Sequence, residues 1–115
     1  MNLRDVEMRQ VVAERVLILT PDGQVTARIG LPFTPDGHSR ESWCPWQIEG
    51  LGSGRVRASV GVDSVQALSL AMLMLGSTLY ASEDYRSGRL MAFPGEPHGD
   101  LGFPRWPEPD PPSPV

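Results

Sequence analysis

Nineteen consecutive residues, Ser64 to Ser82, carry no charge, and this stretch constrains the fold more than any other. Within it Val65, Leu68, Met72, Leu75 and Leu79 recur at helical spacing. Ala67, Leu70, Ala71, Leu73 and Met74 widen that stripe until the helix is apolar nearly all round. Such a helix must be covered on more than one side. Asp63 stands at its entrance, where a carboxylate can accept from free backbone N–H groups, and Gln66 follows in capping-box register. Gly76 marks either the helix end or a weak spot inside it. The stretch approaches the length of a membrane span. Its serines, Gln66, Gly76 and Thr78, and flanks without a basic cluster, point to a buried helix, and no membrane is expected as a partner.

The segments before the helix read as strands. Val11 to Thr20 is rich in β-branched residues and ends at Pro21-Asp22-Gly23, whose Pro and Gly suit a tight turn. Val25, Ala27, Ile29 and Leu31 then alternate with Thr26, Arg28 and Gly30, the period of a strand with one buried face. Thr-Pro-Asp-Gly recurs at 34–37 inside a longer polar loop, which shared turn chemistry explains. A third strand covers Trp43 to Glu49, with Cys44, Trp46 and Ile48 on one face and Trp43 on the other. Pro45 cannot donate to a ladder, so this strand belongs at an edge or starts after it. Gly50 to Gly54 is a turn. The fourth strand, Arg55 to Val60, is expected to turn Val56, Ala58 and Val60 inward and Arg55, Arg57 and Ser59 outward. Arg89 to Phe93 can form a short fifth strand.

Composition changes after that point. Eight of the twelve prolines lie between Pro94 and Pro114. Residues 1–93 therefore read as a compact domain, 94–106 as a docking segment carrying Leu101, Phe103 and Trp106, and 107–115 as an extended, flexible Pro-rich tail. The expected fold is α+β: an antiparallel sheet of four strands, or five with the short one, with one long helix on one face and a Pro-rich C-terminal arm outside.

The charges exclude several functions. All ten basic residues are Arg, against fourteen acidic ones, for a formal charge of −4. No basic run exists to grip nucleic acid, so none is expected as a partner. Without Lys there is no Schiff-base or phosphate-loop lysine. Cys44 is the single cysteine, so a disulfide scaffold is excluded. The first residues mix charges and show no signal-peptide pattern, which sets the expected location as the cytoplasm.

Several strings resemble a known family when taken in order. They are Ala13-Glu14-Arg15, Trp43-Cys44-Pro45, Ile48-Glu49-Gly50-Leu51-Gly52, Gly61-Val62-Asp63-Ser64-Val65-Gln66-Ala67-Leu68 and Asp100-Leu101-Gly102-Phe103-Pro104. The chain resembles, over roughly 13–104, a family of small uncharacterised single-domain bacterial proteins, a domain of unknown function. The resemblance implies one domain and a bacterial origin, and it implies no catalytic residue.

The candidate chemistry is thin. Cys44 with His38 could make a thiol nucleophile and base, with Arg40 between them, but Cys44 falls on the inward face of its strand. His38, His98, Asp36, Glu41 and Asp100 lack metal-ligand spacing, and no metal or other cofactor is expected. Gly50-x-Gly52-x-Gly54 lacks the following helix of a phosphate loop. Arg28, Arg55 and Arg57 could line a small anion-binding stripe. Glu83 and Asp84 read as solvent-facing. Three Trp in so small a chain suggest interface anchors. The expected function is a non-enzymatic protein-binding module, in its most concrete form a bacterial immunity or inhibitor protein that occludes a basic toxin or enzyme. Trp43 and Trp106 would anchor it, and Glu41, Glu49, Glu83 and Asp84 would steer the partner. The alternatives are a homodimeric structural or adaptor protein, and a small ligand-binding protein or thiol enzyme using Cys44 and His38.

Overall fold

A computed structural model describes residues 6–37 and 40–105. His38, Trp106 and the tail 107–115 lie outside the described residues. The chain forms β1 (Val11–Leu19), β2 (Gly23–Gly30), β3 (Ser42–Glu49), β4 (Arg57–Gly61), α1 (Ser64–Ala81), α2 (Glu83–Arg86) and β5 (Leu90–Met91). The five strands make one antiparallel sheet in the order β4-β3-β2-β1-β5. The architecture is α+β, with α1 packed on one face of the sheet, chiefly over β3 and β4.

Local chemistry explains these elements. The β1–β2 hairpin closes around Thr20-Pro21-Asp22, with Leu19 opposite Gly23. Its alternation places Leu17, Val25, Ala27 and Ile29 in the core beneath the helix. Asp63 caps α1 by accepting from the Gln66 N–H at 2.8 Å, and Gln66 Oε1 accepts from the Val62 N–H at 2.7 Å. The two contacts satisfy donors that the first turn would otherwise leave open. By length and composition α1 could cross a membrane. In the structure it packs on the sheet along Ala67, Ala71, Leu75 and Leu79.

Four expectations need correction. The buried stripe of α1 begins with Ala67 and Ala71, while Val65 is 71% and Leu68 36% exposed. Small residues let the helix start approach β4 closely: a Cβ at Gly61 would lie 2.6 Å from the Ala67 backbone nitrogen. The same close approach inverts the faces of β4. Ser59 lies opposite Cys44, and Gly61 opposite Ser42, so Arg57, Ser59 and Gly61 share the helix face, and Ala58 and Val60 take the other. Arg55 lies just before the strand.

β3 is an interior strand despite Pro45. Its ladder to β2 ends at Trp46, and backbone pairing resumes only at Trp43, which exchanges hydrogen bonds with Phe33. Pro45 falls in that gap, where no donor is needed.

Gly76 lies inside α1, where the C-terminal segment crosses over it. A Cβ there would overlap the Pro104 carbonyl oxygen and come within 2.9 Å of the Phe103 Cβ. The second cover of the helix is therefore the segment 98–105, and its Leu101 is completely buried.

The far face of the sheet is also dressed. Trp43 and Pro45 are buried there, Met8 packs over Gly30, and Arg9 stacks on Phe33 at 4.4 Å. β5 pairs only with Ile18 and Leu19, so the outer backbone edge of β1 from Val11 to Leu17 has no strand partner among the described residues.

Candidate functional site

Among the described residues, two concave surfaces and one clasp stand out as features able to carry function. The clasp fastens the C-terminal segment. The Tyr80 hydroxyl donates to Asp100 Oδ1 at 3.0 Å and accepts from the Leu101 N–H at 2.9 Å. The Tyr85 hydroxyl reaches the His98 carbonyl at 2.8 Å, and its ring meets that of Tyr80 edge-on at 4.9 Å. Arg15 donates to the Leu101 carbonyl at 2.9 Å, and the Arg105 guanidinium stacks 3.7 Å above the Tyr80 ring. Asp100 also accepts from the Gly102 N–H at 2.7 Å. That bond, and then the one from Tyr80, hold the Asp100 carboxyl below its ordinary pKa, while burial raises that of Tyr80. Apart from the apolar docking of Leu101 and Phe103, sequence reasoning missed the clasp. Two tyrosines five residues apart at a helix end were its only local signal.

The first concave surface is an apolar groove of about 330 Å³ between α1 and the β1–β2 hairpin. Leu68, Met72 and Phe103 form one wall, and Val12, Ala13, Ala27 and Ile29 the other. It exists because α1 sits over β3 and β4 and the C-terminal segment covers only part of the remaining face. A β-bulge between Val11 and Ala13 brings Val12 to its rim.

The second is a cleft of about 360 Å³ at the β4 edge, between the 50–54 turn and the end of α1. Trp46, Ile48, Leu51 and Ala81 are apolar residues of its lining, Arg55 and Arg57 stand on the sheet side, and Thr78, Ser82 and Asp84 on the helix side. The Arg57 guanidinium lies 5.9 Å from the Trp46 ring centre. Trp46 is 4% exposed, and its Nε1 is buried without a hydrogen-bond partner.

The structure disperses the candidate residues of the sequence. Trp43 is 4% exposed and donates from Nε1 to Glu41 at 2.9 Å, so it offers a partner little area and is corrected as an anchor. Glu49 pairs with Arg28 at 2.9 Å, Glu83 with Arg86 at 3.4 Å, and Asp84 with Arg89 at 3.1 Å. The four acidic residues thus sit in separate local contacts. The cationic stripe divides as well. Arg28 is on the far face of the sheet, held by Glu49 and also by Glu14 at 2.9 Å, and both hydrogen bonds raise its pKa. Arg55 and Arg57 remain together at the cleft, with no ion pair among the described residues.

Cys44 is buried, and its thiol donates to the Gly30 carbonyl at 3.4 Å. Burial pushes its pKa up to about 11. At pH 8 the folded protein should therefore leave Ellman's reagent unreacted, and the thiol should titrate fully only after denaturation. Rapid reaction in the native state would restore a thiol chemistry. Among the described residues no group of three or more His, Cys, Asp or Glu is placed to hold a metal ion.

Set beside known proteins, residues 13–105 match the profile of a family described as a domain of unknown function. No curated protein and no solved structure shows significant similarity to the chain.

Proposed function

The chain belongs to that family, DUF6968, and on this premise we propose that it is a non-enzymatic module that binds another protein. The observation that carries the reading is the groove between α1 and the hairpin, together with the exposed Val65 and Leu68 beside it. Contiguous exposed apolar surface rimmed by polar residues is the mark of an interaction site. The partner that fits presents an apolar ridge to the groove and basic charge around it. The formal charge of −4 complements that. In its most concrete form the module is a bacterial inhibitor or immunity protein that covers a basic toxin or enzyme. The anchors are then Leu68, Met72 and Phe103 rather than Trp43.

The test compares the wild-type chain with Val65→Asp and Leu68→Asp as bait in cells that make it. Both side chains are exposed, so the variants should keep their fold. The expected result is one stoichiometric basic partner on the wild type, with affinity for the purified partner at least about tenfold weaker for Leu68→Asp. Equal retention by all three baits would overturn the reading. A wild-type dimer that the same substitutions dissociate would replace it with a homodimeric adaptor.

A further inference from the structure

We propose that the cleft at the β4 edge is a binding site for a small organic anion, a carboxylate carried on a flat apolar body. Three observations converge on it.

The first is shape. A volume of about 360 Å³ falls at the lower end of the range of about 300–1,000 Å³ usual for small-molecule sites. The lining has the composition such sites share. Trp46, Ile48 and Leu51 supply apolar surface, and a few polar side chains stand around them.

The second is charge. Arg55 and Arg57 stand on one side of the cleft without an ion pair among the described residues. Most other arginines are committed: Arg28 to Glu14 and Glu49, Arg86 to Glu83, Arg89 to Asp84, and Arg15 and Arg105 to the clasp. A guanidinium presents a fork of N–H donors that matches a carboxylate in plane, and two side by side can hold one anion. The helix side of the lining carries no arginine. Asp84 lies there, its Oδ1 turned to Arg89 at 3.1 Å, beside the carbonyl end of α1. This asymmetry orients the ligand, with its carboxylate toward the arginines and its apolar body between them and the helix.

The third is an unmet hydrogen bond. Trp46 lines the cleft, is more than nine-tenths buried, and keeps its indole N–H without an acceptor. A buried donor left open is destabilising. Side-chain hydrogen bonds fix the backbone of the turn that leads into Arg55. Gln47 Nε2 donates to the Gly54 carbonyl at 2.7 Å, and Ser53 Oγ accepts from the Arg55 N–H at 3.2 Å, so the turn is pinned to β3. Flat aromatic acids match this combination of a pair of guanidinium groups and narrow, partly apolar walls. The site lies at the end of α1 away from the groove and does not depend on the protein-binding reading.

The experiment uses the full chain and three probes of one shape: 2-naphthoate, neutral 2-naphthalenemethanol and cationic 2-naphthylmethylammonium. Each is titrated while two-dimensional ¹H–¹⁵N spectra are recorded. The expected result is saturable shifts for 2-naphthoate confined to residues 46–57 and 78–84, including the Trp46 indole N–H. The neutral and cationic probes should bind at least about tenfold more weakly. Arg55→Gln and Arg57→Gln should each weaken 2-naphthoate several-fold, and the double variant at least about tenfold, with the rest of the spectrum unchanged. Three results would each overturn the proposal: no saturation by 2-naphthoate at millimolar concentration, equal binding of the neutral probe, or shifts centred on Val12, Leu68 and Phe103.

Discussion

Gly76→Ala should destabilise the protein, although helix propensity alone argues the reverse. In an open helix the replacement gains about 1 kcal/mol, because alanine restricts the unfolded chain and glycine does not. Here the added methyl would overlap the Pro104 carbonyl oxygen. Both partners are backbone-held, so neither can swing aside as a long side chain would. The C-terminal segment has to lift, or α1 has to shift on the sheet. Overpacking of this kind costs about 1–3 kcal/mol, and set against the propensity gain, with the clasp loosened as well, a net loss of about 1–2 kcal/mol is expected. Chemical denaturation gives the magnitude, and hydrogen exchange gives the place. Amides of residues 98–105 should lose protection while α1 keeps its own. A rise in stability would mean that the segment does not cross the helix at Gly76.

Leu101→Ala should have the larger effect. Leu101 is fully buried in the same core cluster as Leu17, Leu90 and Tyr80, a core that α1 alone does not close. Truncation of a buried leucine costs about 2–5 kcal/mol. For a domain of this size that is a fall in Tm of roughly 10 °C or more. A fall of a degree or two would show that residues 98–105 are an ornament on a complete domain. Because Leu101 and Gly76 act on the same docked segment, their double variant should lose less than the two single losses added together.

These two residues also show where sequence reading stops. The hairpin, the capped start of α1 and the docking of an apolar segment after the helix follow from patterns that are local. Asp63 and Gln66 declare a helix start whatever lies around them, and strict alternation from Val25 to Ile29 declares a half-buried strand. Gly76 declares nothing, because its meaning depends on a segment more than twenty residues away. The faces of β4 were misread for a related reason. In a strand reading Arg-Ala-Ser-Val-Gly, hydrophobicity points Ala58 and Val60 inward. The helix instead demands the smallest surface, and Ser59 and Gly61 provide it. Trp43 was misjudged because a second apolar layer, made by Met8 and Phe33, covers the far side of the sheet. At the cleft the sequence identified Arg55 and Arg57 as candidates but grouped them with Arg28. Strand register placed Arg28 between two carboxylates on the other face.

The outer edge of β1 has a bearing on solubility. Val11, Val12 and Val16 are exposed along a strand whose outer backbone edge has no strand partner from Val11 to Leu17 among the described residues. An extended apolar edge of this kind is a template for adding another chain, the first step toward aggregates. Glu14 and Arg15 interrupt it at the centre and point to opposite faces of the sheet. Two copies joining edge to edge would bring these charges into the new seam on both faces. The pair therefore acts as a gatekeeper, and a neutral substitution there removes the charge that opposes such joining.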